Sequence, residues 1–464
     1  DTFFKFDPLV MIITSISRRI LIPGILFSIL MILASLVIGR FFCGWICPLG
    51  ATLDCASRML RGVKTKKEAW QNTAARNMKY LILAALFLFS FFGAQLAWFF
   101  DPMVIMARFV SLCLIPSVTL ILNSFFIMLI KGLGLSGPVH DIYRALRSSA
   151  LGINVYYFSH SAIIFVFFLA VVALVFYKRR AWCRFLCPLG ALYALASRYA
   201  LLSRTVKKCV HCRPCKSDCR MGAIREDQSY LKEECILCMD CRYDCAAGTT
   251  RFRFSASAVD VPVKDAGRNA PKNTISRKNF LLSFLALPLV AAVSKRASSV
   301  IRPPAALRED KFVSACIRCG NCMKVCPTNG LQPALFQSGM DGIWTPHLVP
   351  EIGYCEYNCT LCGNTCPTGA IRKISSVKEK HRARLGTAEV DRSICLPWAD
   401  NKECIVCEEH CPVYEKAIKL TKYTVGGKTI SRPQVDMELC VGCGICQNKC
   451  PVRPLRAIRV RADI

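Results

Sequence analysis

The chemistry open to this chain is written in its cysteines. Between Cys209 and Cys245 the sequence reads CVHCRPCKSDC, then fifteen residues, then CILCMDCRYDC. In each block two residues separate the first three cysteines and three precede the fourth, so three thiolates cap three irons of one cubane while the fourth reaches a neighbouring cluster. The spacing predicts two 4Fe-4S clusters, one on Cys209, Cys212, Cys215 and Cys245, the other on Cys235, Cys238, Cys241 and Cys219. Zinc ribbons use isolated CxxC pairs, and three cysteines this close crowd a tetrahedral ion. Arg220 and Ala246 stand where a proline commonly follows the fourth cysteine.

Four further blocks follow: Cys316, Cys319, Cys322, Cys326; Cys355, Cys359, Cys362, Cys366; Cys395, Cys404, Cys407, Cys411; and Cys440, Cys443, Cys446, Cys450. Each ends in Cys-Pro, and twenty-eight residues separate the last cysteine of one from the first of the next. They predict four more clusters in two pseudo-symmetric ferredoxin folds. Either the first block exchanges its fourth cysteine with the fourth and the second with the third, or neighbours exchange in order.

Composition bounds what must position these groups. A chain of 464 residues, 53% hydrophobic, is too long for one domain and too apolar for an ordinary soluble protein, which implies a membrane part and a globular part. Of its 30 cysteines, 24 fall into the six blocks, a regularity that disulfides do not need. The formal charge of +30 invites a nucleic-acid reading. Cluster-bound thiolates offset about 12 of those charges, however, and many remaining Lys and Arg flank apolar runs, where they set orientation and meet anionic lipid. No nucleic-acid partner is expected.

The N-terminal half is a repeat. Phe6-Asp7-Pro8 recurs as Phe100-Asp101-Pro102, and FFCGWICPLGATLDCASR from Phe41 recurs as AWCRFLCPLGALYALASR from Ala181, with Arg40 matching Arg180. Apolar runs Leu21 to Gly39, Tyr80 to Phe100 and Ser161 to Tyr177 are each long enough to span about 30 Å of hydrocarbon. By symmetry a further span is expected upstream of Asp1. The second repeat carries an insert whose apolar run, Phe109 to Ile130, is expected to be re-entrant, interfacial or half of a hairpin. Cys43, Cys47, Cys183 and Cys187 form two CxxxCP pairs, each on one helical face and ended by proline, which can supply one shared metal or iron-sulfur centre. The alternatives are redox dithiols or packed thiols. Cys55 and Cys113 have no repeat counterpart. Asp7 and Asp101 are candidates for accepting quinol protons, and each is also placed to cap a helix begun by proline. His160, just before a span, is a weaker candidate for the same face.

Basic residues after each CxxxCP place that end, and the module around Cys209 to Cys245, in the cytoplasm. After a polar linker, SRKNFLLSFLALPLVAAV from Ser276 has the form of a twin-arginine export signal with Lys278 in place of the second arginine. It puts the C-terminal part outside.

On these motifs residues 1 to about 250 resemble the membrane quinol dehydrogenase subunits of periplasmic nitrate reductase systems (NapH type). Residues from about 276 to 464 resemble their exported four-cluster partner (NapG type, MauM-like). The resemblance implies a prokaryotic inner-membrane protein that takes electrons from the quinone pool. It would pass them through six 4Fe-4S clusters to an extracytoplasmic redox protein, such as a multihaem cytochrome or a reductase, within a larger respiratory complex. A conduit from a cytoplasmic ferredoxin or flavoprotein, or a metal-reducing assembly factor, are the other readings. The expected fold is a membrane α-helical duplicated two-helix repeat, plus a two-cluster ferredoxin insert, plus an α+β four-cluster polyferredoxin domain. Expected boundaries are 1–204, 205–250, a linker 251–275, a signal or anchor helix 276–296, and 297–464.

Overall fold

The computed structural model describes all residues except 1, 61–72, 133–136, 147–155, 207–208, 211, 213, 226–228, 255–299, 426 and 463–464. The linker and the export-signal-like stretch therefore lie outside the described residues. The chain forms two compact units: Asp1–Met106 with Val166–Val290, and Ala107–Phe165 with Ala291–Ile464. This division differs from the expected boundaries. The two-cluster module belongs to the same unit as the CxxxCP repeats, and the insert belongs with the C-terminal ferredoxin blocks.

In the first unit each repeat opens with an aspartate cap. Asp7 Oδ1 accepts from the N–H groups of Leu9 at 3.0 Å and Val10 at 3.2 Å, starting the helix Pro8–Arg18. Asp101 Oδ1 does the same for Met103 at 2.8 Å and Val104 at 3.0 Å. Each proline fits the first helical turn because its missing N–H is not needed there. The CxxxC segments form short helical turns, Phe41–Trp45 and Trp182–Leu186, and Pro48 and Pro188 then open the helices Pro48–Met59 and Pro188–Ser197. The core between them gathers Leu9, Val10, Met11, Leu49, Met103, Val104, Leu189 and Tyr193.

The first and third of the expected spans form shorter helices than their apolar runs, and the second is shifted. Pro23 and Gly24 delay the first to Ile25–Val37, 13 residues or about 20 Å. The second occupies Thr73–Phe91 and stops before the turn at Gly93, and the third runs Ser161–Ala173 before tightening into a 3-10 turn. The insert, expected to be re-entrant, interfacial or half of a hairpin, forms one long helix. Its apolar run lies in the continuous helix Pro102–Gly132, among the described residues the one helix long and apolar enough to cross a membrane. Pro116 is tolerated inside it because a π-helical turn, Val110–Leu114, immediately precedes it and shifts the hydrogen-bond register.

The two-cluster module is closed by β1 (Leu202–Val206) paired antiparallel with β2 (Thr250–Phe254). In the second unit β3 (Leu331–Pro333) pairs with β4 (Pro346–Leu348), β5 (Thr387–Val390) with β8 (Ile458–Arg461), and β6 (Ile418–Val425) with β7 (Lys428–Val435), all antiparallel. These ribbons bracket loops that carry the cysteine blocks. Apolar cores this thin leave much of the architecture to the ligands held in those loops.

Candidate iron-sulfur sites and a four-thiol centre

The third cysteine of every block sits on a single helical turn: Cys215 on Pro214–Ser217, Cys241 on Asp240–Tyr243, Cys322 on Asn321–Lys324, Cys362 on Leu361–Asn364, Cys407 on Val406–Glu409 and Cys446 on Ile445–Lys449. The turn aims that thiol back toward the loop holding the first two. A cavity of about 330 Å³ is lined by Cys209, Cys212, Cys215 and Cys245, and one of about 410 Å³ by Cys219, Cys235, Cys238 and Cys241. In the C-terminal domain the exchange is between neighbours in order. Cys326 joins Cys355, Cys359 and Cys362 around about 370 Å³, and Cys366 lies in electrostatic range of Cys316, Cys319 and Cys322. Cys450 joins Cys395, Cys404 and Cys407, while Cys411 joins Cys440, Cys443 and Cys446. Four cysteines around each cavity fit a cubane, with backbone donors such as Ala223 N on Cys219 Sγ (3.3 Å) and Ala388 N on Cys440 Sγ (3.4 Å) supplying hydrogen bonds to sulfur. Burial pushes the Cys238 and Cys443 thiols up to about 12, so a metal must supply the charge that holds them as thiolates. Cys245 is pushed down to about 6 by hydrogen bonds from Thr250 and Thr249.

The repeat brings Cys43, Cys47, Cys183 and Cys187 together: all four are buried, and Cys187 lies in electrostatic range of the other three. Each matched arginine crosses to the opposite repeat. The Arg180 guanidinium lies over Gly50, where a Cβ would come within 3.3 Å of Nη2, and donates to Cys43 O at 2.8 Å. Arg40 lies over Gly190, whose Cβ would stand 2.8 Å from Arg40 Nη2 and 3.4 Å from Cys187 Sγ. Arg40 Nε and Nη2 are buried without an acceptor, which an anionic group on the four sulfurs would supply. Among the described residues no three His, Cys, Asp or Glu side chains are close enough to hold a single metal ion, and this is equally true of the ferredoxin blocks. Four buried thiols beside two arginines are a donor set of the kind that holds a thiolate-bound cluster.

Asp7 and Asp101 also meet. Both are fully buried, their carboxyl groups lie within hydrogen-bonding range of each other, and each Oδ2 has no donor. His160 belongs to the second unit, where it lies in electrostatic range of His347. Cys55 is exposed, and the Cys113 thiol donates to Ser161 O at 3.4 Å.

Sequence reasoning noticed the Arg40 and Arg180 match but not its role, and missed the ionic seam beneath the two-cluster module. Glu234 accepts from Lys79 Nζ at 2.5 Å and from Arg40 Nη1 at 3.2 Å, both cations fully buried. Burial pushes the Glu234 carboxyl up, but Lys79 and Arg40 outweigh it and hold it below the ordinary range. Arg220, in the position a proline commonly takes, grips Asp240 at 2.5 and 2.8 Å and Asp54 at 2.6 Å, and Asp54 also receives Arg180 at 2.7 and 2.6 Å. The departure from the ferredoxin pattern at Arg220 was the available signal.

Such cysteine-lined sites define an iron-sulfur electron-transfer protein of the ferredoxin type. Models described as "4Fe-4S binding domain" match residues 20–67 and 160–209, and residues 311–332 and 433–456. The methylamine utilization ferredoxin-type protein MauM of Methylorubrum extorquens is 36% identical over 176 residues, 37% of this chain and 76% of that protein. Ferredoxin-type protein NapG of Escherichia coli is 39% identical over 162 residues, 33% of this chain and 68% of its own, and NapF of the same organism is 29% identical over 163 residues, 35% and 87%. The chain belongs to the family of ferredoxin-type proteins that includes MauM and NapG. No solved structure matches it.

Proposed function

We propose that this is a membrane-anchored polyferredoxin subunit that oxidises a quinol and delivers single electrons to an extracytoplasmic redox partner, the N-terminal half being of NapH type. The observation that carries the reading is the convergence of two CxxxCP motifs into one buried four-thiol centre under Arg40 and Arg180, within stretches matched as 4Fe-4S binding. Six 4Fe-4S clusters, with a further centre on these thiols, supply one-electron carriers when bound. The protein's own residues do the rest. Arg40 and Arg180 offset the charge of a thiolate-bound centre, and the apolar packing excludes water from it. Asp7 and Asp101, facing each other without a donor, hold one proton between them and provide a place for a proton released as quinol is oxidised. The helix Pro102–Gly132 and exposed apolar side chains such as Leu26, Leu30, Phe91, Phe92, Ile121 and Val166 support contact with lipid.

A second reading, a conduit fed by a soluble cytoplasmic donor, draws on the exposure of Cys212 beside Val210, and of Tyr243 near Cys245. The two separate on anaerobic mixing with a reduced menaquinone analogue, followed by electron paramagnetic resonance. Rapid cluster reduction, slowed by Asp7→Asn and Asp101→Asn, is expected. Reduction by a low-potential ferredoxin but not by quinol would establish the conduit instead.

A further inference from the structure

Both CxxxCP motifs end against the same cysteine-lined site. Gly44, next to Cys43, lies against the Ile236 carbonyl, which any Cβ would overlap. Trp45 Nε1 donates to Leu237 O at 2.9 Å, and the Leu237 N–H bonds the Cys235 sulfur. In the other repeat Arg184, next to Cys183, donates through Nη2 to Arg220 O at 2.8 Å and to Cys219 O at 3.4 Å. Ile236 and Cys219 line the site of Cys219, Cys235, Cys238 and Cys241, and Leu237 lies between Cys235 and Cys238.

We infer that the four-thiol centre and the site of Cys219, Cys235, Cys238 and Cys241 are consecutive steps of one electron path, held in register by Trp45 and Arg184 as positioning residues. This rests on reading Cys43, Cys47, Cys183 and Cys187 as a redox centre. The transfer moves one electron from the reduced centre to its oxidised neighbour, with no bond made or broken. Two independent grips, on the segments 236–237 and 219–220 of one site, fix the gap between the sites. Trp45 also anchors residue 237 through its carbonyl, and the N–H of the same residue stabilises the added negative charge of the reduced site through Cys235.

The test uses the full-length protein loaded with clusters, titrated anaerobically with dithionite and followed by electron paramagnetic resonance. One cluster signal is expected to show magnetic splitting that Cys43→Ser with Cys183→Ser removes, together with a loss of about four irons per chain. Cys238→Ser should abolish that signal and Cys212→Ser should not. Trp45→Phe, a fold-preserving change, should move the same signal to more negative potential and leave the others in place. Splitting that belongs to the signal lost in Cys212→Ser, or a Trp45→Phe protein with no signal displaced, overturns the inference. Iron content unchanged by Cys43→Ser with Cys183→Ser overturns the redox-centre reading beneath it.

Discussion

In each compact unit apolar helical elements grip a cysteine-lined site, and the two grips are built differently. In the first unit Gly44 and Trp45 hold the loop of Cys235 and Cys238 and Arg184 holds the Cys219 segment of the same site, over a buried ionic seam of Arg40, Lys79 and Glu234. In the second the insert helix holds the loop of Cys316 and Cys319 with almost no ionic chemistry. Arg108 Nε donates to Arg318 O at 3.0 Å while its guanidinium stacks 4.4 Å from the Trp344 ring, Leu112 fills the space over Gly320, and the amide of Gln332 bonds Ser159 N at 2.9 Å and Tyr157 O at 3.1 Å. A grip made of a buried carboxylate fails when its charge is removed; one made of stacking and carbonyls loses only what each contact contributes. The difference assigns the units different sensitivities to charge and acid.

The largest effect should come from Glu234→Ala. It leaves Arg40 and Lys79 buried without their carboxylate, a loss of about 3–5 kcal/mol. Hydrogen exchange should rise across residues 230–238 and stay unchanged across 331–348; equal loss in both would break the comparison. Acid should act in the same way. Because the folded Glu234 titrates below its ordinary 4.5, its contribution is complete above that pH and is lost as pH falls further.

His347 gives the second unit a different window. Burial, with Arg302 and His160 nearby, pushes it down to about 4 from 6.5, so the unfolded chain binds more protons between those values. Its neutral ring, bonded through Nδ1 to Gln332 O at 3.0 Å, favours the fold fully above 6.5, and about 3 kcal/mol is lost as pH falls toward 4. Unfolding monitored between pH 7 and 4 should therefore loosen residues 331–348 before 230–238, and His347→Gln should flatten that slope. Arg108→Ala comes next, at about 2 kcal/mol from the lost carbonyl bond and stacking, with Arg108→Lys recovering only part because a lysine lacks the planar face. Thermal unfolding of the cluster-loaded protein measures both.

How much of this could be read beforehand follows from what each feature depends on. The cysteine blocks were legible because cubane ligation constrains local spacing, and the repeat was legible because its motifs recur residue for residue. The exchange between neighbouring blocks was not, since equal separations fit either order. Apolar length overstated the first span because Pro23 and Gly24 lie inside it, and the length of the insert helix was not legible because it depends on a π-turn that lets one helix pass Pro116. The aspartate caps were legible as local chemistry. That Asp7 and Asp101 face each other, and that Arg40 and Arg180 each cross to the other repeat, depends on how the repeats pack, and motif spacing carries no record of that.

The finest test concerns whether the insert helix holds the cysteine loop through shape. Gly320 adopts φ +84°, and a Cβ there would come within 3.0 Å of Leu112 Cγ. Gly320→Ala therefore carries two costs: the left-handed backbone, about 1 kcal/mol or more wherever it occurs, and the collision with Leu112. Leu112→Ala opens a cavity and is costly alone, but it removes the collision and leaves the backbone term. A double-mutant cycle on thermal stability should thus return a coupling of about 1 kcal/mol, the pair being less harmful than the sum of its parts. Strict additivity would mean that Leu112 does not press on the loop and that Arg108 alone holds it, leaving the contrast with the first grip one of charge rather than of shape.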